Sequence, residues 1–236
     1  MSLERLDKIV SNNFGVTRKT ARNDIKQGKV LVDGKILTDF SAKVAENTAV
    51  SYNGQECQNT KFTYIMMNKP KGVLTATRDD SRETVVDLVP EDIKRKGLFP
   101  VGRLDKDTTG LLIITNDGDF AHRIVSPRHH VAKVYTVTLD GAVTDEAIKG
   151  FSDGVTLADG ELCAPAILEK TDKENIARVT LREGKYHQIK RMFGVFSLGV
   201  NGLTRNSIGD LVLDPTLREG ECRVMTAEEI QKAEEK

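Results

Sequence analysis

One short stretch of the chain places acidic, basic and hydroxyl side chains directly before a strongly apolar run. It reads VGRLDKDTTGLLIIT over residues 101–115, with a glycine on either side of the charged residues. A tight loop beside a buried strand can hold a carboxylate in a cleft. Asp105 follows the apolar residue Leu104, so it is a stronger candidate than Asp107 for a carboxylate in apolar surroundings. The residues alone leave open a capped turn, in which the aspartates and threonines bond backbone amides.

A second polar cluster, GKYHQIKRMF at residues 184–193, predicts a helix from about residue 186. On such a helix His187, Lys190 and Arg191 stand three and four positions apart, so they share one basic face. That face suits phosphate groups.

An aromatic residue that could contact a ligand lies on a predicted strand, KVYTVTL at residues 133–139. Alternation places Tyr135 on the same face as Val137 and Leu139. A tyrosine in this setting either packs in the core or forms the floor of a site, and both readings stay open at this point.

The sequence lacks the usual signatures of nucleotide hydrolysis, dinucleotide redox chemistry, zinc proteolysis and serine hydrolysis. Its three cysteines, Cys57, Cys163 and Cys222, are far apart and show no metal-ligand spacing, so we expect no disulfide framework and no metal site. No apolar run approaches the roughly 18 residues of a membrane span, and the charged N-terminus is unlike a signal peptide. We therefore expect a soluble, cytoplasmic protein that does not contact a membrane.

The 236-residue chain has no net charge, with 35 basic and 35 acidic residues, but its charges are segregated. Residues 18–29 hold five basic side chains against one acidic, and residues 61–78 hold four basic and no acidic ones. Acidic side chains dominate residues 79–94 and 210–236. Segregation of this kind suits a polyanion on one face, and the alternative is an ordinary solvated surface.

The first sixty residues predict two helices followed by a hairpin. An apolar helical repeat begins at Leu3, Thr17 is placed to cap a second helix, and the pair Asp33-Gly34 indicates a two-residue turn. The polar stretch NGQECQNTK at 53–61 is interpreted as a linker.

A second, larger domain follows that linker. Strands near 64–69, 111–115 and 133–139 are interspersed with helices, one of them opened by Asp117, without strict βαβ alternation. This pattern predicts an α+β domain with a mainly antiparallel sheet.

The N-terminal pattern resembles the S-four-like RNA-binding domain of a ribosomal protein and many RNA-modifying enzymes. RLDK at 5–8 and GKVLVDGK at 28–35 carry the resemblance, which assigns residues 1–58 to this domain. It implies that four basic side chains face RNA phosphates: Arg5, Arg18, Lys19 and Arg22.

The stretch GRLDKDTTGLLIITNDGDFAHRIVSPRH resembles the signature of the ribosomal small-subunit pseudouridine synthase family. YIMMNKPKGVLTA at 64–76, KVYTVTL and GKYHQIKRMF appear in the family's order, and the resemblance covers nearly the whole chain. It implies that residues 61–236 form a catalytic domain, built on a mainly antiparallel sheet with flanking helices and a central cleft.

The activity implied is isomerisation of one RNA uridine to pseudouridine, with the nucleotide flipped out of its stack and with no cofactor or metal. By position, Asp105 is the carboxylate that acts at the ribose, Tyr135 packs on the base, and Lys190 pairs with Asp105. The resemblance assigns RNA contacts to Arg103, His187 and Arg191, and the walls of the base pocket to Leu104, Ile189 and Met192.

The implied partner is ribosomal RNA, namely small-subunit RNA or an assembling small subunit, and we expect a monomer. Large-subunit relatives typically carry an Asn-Arg pair where this chain has Tyr186-His187, which favours the small-subunit branch. The alternatives are the same reaction on large-subunit or transfer RNA, or a non-catalytic ribosome-assembly factor. The joint presence of Asp105, Tyr135 and Lys190 favours the enzyme.

Overall fold

A computed structural model describes residues 3–235, with the side chains of residues 57, 58 and 127 left out of the description. Internal contacts divide the chain into two compact units, Met1–Thr63 with Val89–Leu98, and Tyr64–Leu88 with Phe99–Lys236. The ranges 1–58 and 61–236 stay a prediction as domain boundaries. The predicted second domain is continuous, whereas in the structure residues 89–98 belong to the first unit. There the Lys96 amide donates a hydrogen bond to the Asn12 carbonyl over 3.4 Å.

The first unit contains two short helices and two small sheets. β1 pairs antiparallel with β4, and the other strands form a sheet in the order β3-β2-β5-β6. The helices bury Leu6, Ile9, Ala21 and Ile25 completely. The elements are β1 (Leu3–Arg5), α1 (Leu6–Asn13), α2 (Arg18–Lys26), β2 (Val30–Val32), β3 (Lys35–Ile36), β4 (Lys43–Ala45), β5 (Ala49–Tyr52) and β6 (Gln55–Gln58).

Most of the local signals in this unit are confirmed. The Thr17 hydroxyl accepts a hydrogen bond from the Thr20 amide over 3.1 Å at the start of α2, and Asp33-Gly34 turns between β2 and β3 with positive φ angles of 47° and 74°. Two interpretations are wrong. Leu3 is 57% exposed and belongs to β1 because it pairs with β4, and the polar stretch from 53 contains β6 because an Asn-Gly turn folds it back onto β5.

The second unit is built on a nine-stranded sheet, in the main order β11-β12-β10-β13-β9-β7-β15. β14 pairs with β13 and β8 with β9, and all pairs are antiparallel except β13 with β9. Its elements are β7 (Tyr64–Lys69), β8 (Phe99–Pro100), β9 (Thr109–Thr115), α3 (Gly118–Val125), β10 (Lys133–Leu139), α4 (Asp145–Asp153), β11 (Ile167–Lys170), β12 (Ile176–Leu181), α5 (Gln188–Val195), β13 (Val200–Ile208), β14 (Leu211–Val212), β15 (Cys222–Val224) and α6 (Ala227–Lys232).

This architecture confirms the predicted α+β class with a mainly antiparallel sheet. β9 lies inside the sheet between β13 and β7, and Leu111, Leu112 and Ile113 on it are fully buried. Asp117 caps α3 as expected, since its carboxylate accepts hydrogen bonds from the backbone amides of Asp119 and Phe120. Among the helices described, none is long and apolar enough to cross a membrane.

The parallel pairing of β13 with β9 requires a glycine at position 110. Gly110 lies opposite Arg205, and a Cβ atom added to it would lie 2.3 Å from the Arg205 carbonyl oxygen. Its φ angle of 98° is also one that favours glycine. The loop that carries Asp105 therefore leads directly into a close contact between β9 and β13.

Candidate active site

Asp105 lies on the loop between β8 and β9, at the edge of a cleft of about 1100 Å³. The Thr108 amide donates a hydrogen bond to the Asp105 carbonyl over 3.1 Å, which closes a turn around the acidic residues. Beside the turn, the Thr75 hydroxyl donates to the Leu104 carbonyl over 2.8 Å and accepts from the Leu104 amide. The loop is therefore held by hydrogen bonds on both sides of Asp105.

A fully buried lysine on β7, which was not among the site residues expected from the sequence, supports the same loop. The Lys69 ammonium group donates hydrogen bonds to the carbonyl oxygens of Pro70 and Thr108, each over 3.0 Å, and to that of Lys106 over 3.4 Å. Burial lowers the pKa of Lys69 to about 8, although the charges of Asp107 and Asp105 oppose that shift. A lysine directly before a proline at the end of an apolar strand was the available signal.

Two basic side chains from the region of α5 approach Asp105. The His187 Nε2 atom is 3.5 Å from Asp105 Oδ1, and the Lys190 Nζ atom is 3.6 Å from Asp105 Oδ2. Lys190 also donates hydrogen bonds of 2.7 Å to both carboxylate oxygens of Asp107, which hold the pKa of Asp107 below its usual range. Lys190 thus forms an ion pair with Asp105, the partner that the resemblance implied, while its hydrogen bonds go to Asp107.

Asp105 is the less exposed of these two acids, as the apolar Leu104 beside it suggested. The Asp105 side chain is 27% exposed and that of Asp107 is 55% exposed. Both carboxylates face cations, but only Asp105 lines the cleft.

Tyr135 forms part of the cleft wall and is 9% exposed. It lies on β10 directly opposite Arg205 of β13, and its strand alternates as predicted, with Val137 and Leu139 buried on the same face. The phenol ring is therefore both a core residue and a surface of the cleft, so the two readings of the sequence are compatible.

Of the three side chains expected around the base, two line the cleft. Leu104 and Ile189 do so and are 7% and 4% exposed. Met192 does not: it is fully buried, and its sulfur lies 3.7 Å from the Gln188 amide nitrogen. Met192 lies about one helical turn after Ile189 on α5, and its side chain is part of the buried core.

The predicted basic face of α5 is not formed as one surface. His187 precedes the helix with a left-handed φ of 49°, and its ring stacks on Tyr186 with 3.8 Å between centroids. Arg191 is neutralised by Glu161 and Asp159, over 2.9 and 2.5 Å. The helix begins at Gln188 rather than near 186, so His187 leaves the helical repeat. The RNA contact of Arg191 stays a prediction.

The remaining predicted RNA contacts are exposed. Arg103 lies on the cleft wall near Asp105. In the first unit, Lys19 is exposed and makes no ion pair with any residue described. Asp7 is completely buried and is bound by three arginines whose side chains are 43–49% exposed. The three arginines are Arg5, Arg18 and Arg22, which bind the Asp7 carboxylate over 3.1, 3.0 and 2.7 Å.

The buried carboxylate organises this basic surface. Burial disfavours the charged form of Asp7, but the hydrogen bonds from its arginine partners outweigh that cost and hold the pKa of Asp7 well below its usual range. Three cations around one anion leave a net positive charge, and Arg5 and Arg22 also lie over the ring of Phe40. This arrangement can bind phosphate without losing its internal pairing.

Metal binding finds no support in the side chains described, since they include no group of three or more histidine, cysteine or acidic residues that could hold an ion. Cys163 is a buried, free thiol, and the side chain of Cys57 lies outside the described residues.

Comparisons with known proteins agree with this arrangement. Residues 63–194 match the model of the RNA pseudouridylate synthase family, and residues 4–50 match that of the S4 domain. The chain is 42% identical over 230 residues to an uncharacterized RNA pseudouridine synthase of Bacillus subtilis (strain 168), covering 96% of each protein. It is 41% identical over 228 residues to ribosomal small subunit pseudouridine synthase A of Escherichia coli (strain K12), covering 96% of this chain and 98% of that protein.

A solved structure shows the same likeness in three dimensions. The crystal structure of a pseudouridylate synthase superposes with a TM-score of 0.68 at 37% identity, covering 97% of this chain and 99% of that one. The family model covers more than half of the chain, and the relatives align with it over nearly its full length. The chain therefore belongs to the RNA pseudouridylate synthase family.

Proposed function

We propose that this chain converts one uridine of small-subunit ribosomal RNA to pseudouridine, with Asp105 acting at the ribose. The observation that carries the proposal is the setting of the Asp105 carboxylate, which faces the cleft formed in part by Tyr135 and has His187 and Lys190 nitrogen atoms at 3.5 and 3.6 Å. The small-subunit names of relatives such as the E. coli protein support this class of RNA.

The reaction breaks the bond between ribose C1′ and base N1, turns the base, and rejoins it through C5. Asp105 acts either as the nucleophile at C1′ or as the base that removes a ribose proton, and both roles need the ionised carboxylate. Lys190 contributes positive charge beside that carboxylate, and its hydrogen bonds to Asp107 fix its position. Lys69 fixes the backbone of the loop from below.

A uridine stacked in RNA cannot present C1′ to a carboxylate inside a cleft, so the nucleotide must flip out. Flipping costs a few kcal/mol, which contacts to the extruded nucleotide must offset. Leu104 and Ile189 supply apolar walls and Tyr135 an aromatic one for the base. Arg103, exposed near Asp105, is placed to occupy the gap left in the RNA.

The first unit binds the RNA backbone in this proposal. The arginines around Asp7 and the exposed Lys19 contact phosphates, so binding should weaken steeply as salt rises. Each phosphate neutralised adds about −0.7 to −0.9 to the slope of log affinity against log salt.

We also propose that the protein acts as a monomer in the cytoplasm and uses no metal or cofactor. Dialysis against a chelator should leave the rate of pseudouridine formation unchanged, and light scattering of the free protein should give the mass of one chain. Loss of activity that is restored by a divalent cation would contradict the cofactor-free mechanism.

The test is site-resolved mapping of pseudouridine after incubation of the protein with small-subunit RNA, with assembly intermediates, and with large-subunit RNA. Wild type is compared with Asp105→Asn and with Asp107→Asn, a matched change two residues along the same loop. We expect one modified small-subunit uridine that is absent with Asp105→Asn and formed more slowly with Asp107→Asn.

Each other outcome points to a different revision. Modification only in large-subunit or transfer RNA would keep the reaction and change the substrate. Tight RNA binding without modification by the wild type would favour the assembly factor. Full activity of Asp105→Asn would remove that residue from the chemistry.

A further inference from the structure

The cleft contains polar groups whose bonding capacity is not filled by the residues described. Arg205 is 3% exposed, and its Nε atom donates to the Leu111 carbonyl over 2.8 Å, but its buried Nη2 atom has no hydrogen-bond partner among the residues described. The buried hydroxyl of Thr108 also lacks a partner, and both residues line the cleft. Buried polar groups are nearly always bonded, so unbonded groups on residues that line a cavity point to a ligand.

A second cation adjoins this guanidinium. The Lys133 ammonium donates to the Val131 carbonyl over 2.9 Å and also lines the cleft. Burial, together with repulsion from Arg205, lowers the pKa of Lys133 to about 8. Within the described part of the chain, no carboxylate forms an ion pair with either Lys133 or Arg205, whereas Lys185 and Arg82 of the same cleft are paired with Glu161 and Asp79.

Both cations flank the tyrosine of the cleft. Arg205 is the cross-strand partner of Tyr135, next to a register shift between β10 and β13, and Lys133 precedes Tyr135 by two residues on the same face of β10. Directly opposite residues of an antiparallel pair lie about 5 Å apart at Cβ. A planar base in contact with Tyr135 would therefore have both cations within reach.

We propose that Arg205, Lys133 and the Thr108 hydroxyl stabilise the uracil anion that forms when the base leaves the ribose. The inference rests on the proposed function, because it assigns these groups to the same uridine on which Asp105 acts. Donors that face developing charge in a site screened from water are among the strongest sources of catalysis.

The bond changes show why an anion must be accommodated. When the C1′–N1 bond breaks, its electron pair stays on N1, and the charge spreads to the two carbonyl oxygens of uracil. C1′ is then bonded to the Asp105 carboxylate, or the ribose has lost a proton to that carboxylate. Either route gives the same detached uracil anion. Reattachment at C5 returns the carboxylate to its free form or its proton to the ribose, and the C5 proton is replaced by one gained at N1.

Donor-only side chains suit a base that must turn within the site. Rotation by half a turn about the line through N3 and C6 exchanges N1 with C5 and one carbonyl oxygen with the other. A guanidinium or ammonium group that meets a carbonyl oxygen before the rotation therefore meets one after it. The same contacts can hold the base through both halves of the reaction.

Barbiturate provides a test that needs neither RNA nor turnover, because it has nearly the shape of uracil and is ionised at neutral pH. Ligand-observed NMR on the full chain would measure the binding of barbiturate, uracil and inorganic phosphate. We expect wild type to prefer barbiturate over uracil by about tenfold or more, as hydrogen bonds to a charged ligand suggest. Lys133→Met and Thr108→Val should each reduce that preference several-fold, and Arg205→Met should abolish it.

A charge-matched control is Lys170→Met, which removes a lysine paired with Asp145 on the outer strand of the same sheet and should keep the wild-type preference. If Arg205→Met does not fold, the other two variants carry the test. Equal binding of barbiturate and uracil, binding of neither, or a dependence on Lys133 and Arg205 seen only with phosphate would overturn the inference. If wild type forms pseudouridine yet shows no preference, only this inference fails; if it prefers barbiturate but modifies no RNA, the proposed function fails instead.

Discussion

Replacing Lys69 by methionine tests whether a buried ammonium group fixes the geometry of the active-site loop. Methionine retains most of the length and apolar volume of the side chain but removes all three hydrogen bonds, two of which reach the loop at Lys106 and Thr108. Asp105 and Asp107 lie on the same four residues of chain. Their positions should therefore loosen when the donor is lost.

The expected cost to stability is smaller than the cost to activity. Each hydrogen bond from a charged donor contributes on the order of 1.5–3 kcal/mol, but the lysine is fully buried and its lowered pKa shows that burial of its charge opposes folding. We expect these effects to offset in large part and leave a net loss of about 1–2 kcal/mol. A displacement of about 1 Å at the carboxylate reduces a catalytic rate by roughly a hundredfold.

The assay combines single-turnover pseudouridine formation with urea unfolding, and Lys170→Met again provides the charge-matched control. The folded protein releases the Lys69 proton near pH 8, whereas an unfolded lysine releases its proton near pH 10.4. Between these values the unfolded chain holds more protons, so wild-type stability should rise with pH relative to Lys69→Met. A variant with wild-type rates, or with a rate loss accounted for by its unfolded fraction, would refute the reasoning.

Three further predictions concern other parts of the molecule. Asp7→Asn should lower the free energy of unfolding by about 3 kcal/mol at pH 7, measured by urea titration, because it leaves three arginines around a buried neutral group; a change under 1 kcal/mol would contradict this. Gly110→Ala should cost about 3 kcal/mol or more in thermal unfolding, because its Cβ would meet the Arg205 backbone, and Gly118→Ala, whose Cβ meets nothing within 4 Å, is the control. Tyr186→Ala should weaken RNA binding by about tenfold while Tyr186→Phe should not, because the exposed ring, 75% accessible and stacked on His187, offers a surface for a base.

Short-range signals gave the secondary structure of this chain with few errors. The cap at Thr17, the turn at Asp33-Gly34 and the cap at Asp117 each depend on atoms within three residues, and each is present. Leu3 and the polar stretch from 53 were misread because pairing with a distant strand, rather than the local pattern, decides their conformation. The return of residues 89–98 to the first unit is another long-range choice.

The candidate site shows the same division. The sequence motif around Asp105, the alternation around Tyr135 and the family resemblance were sufficient to predict that these two residues lie in one cleft. The sequence did not indicate that Lys190 donates its hydrogen bonds to Asp107, or that Arg191 is neutralised by Glu161 and Asp159. The three basic residues were expected to share one face of a single helix. His187 instead precedes the helix in a left-handed conformation, so the three side chains do not form one surface.

The sequence by itself determined the family and the α+β class, because these are written in contiguous motifs and in residue periodicity, and it made Asp105 the candidate acidic residue. Only the tertiary structure decided which charged side chains form ion pairs and which are buried with backbone hydrogen bonds alone among the residues described. Lys69 reaches Thr108 across 39 residues of chain, and Arg205 reaches Leu111 across 94. Such contacts depend on which strands become neighbours in the sheet, and the free energy that selects them is shared over the whole core rather than held in any one segment.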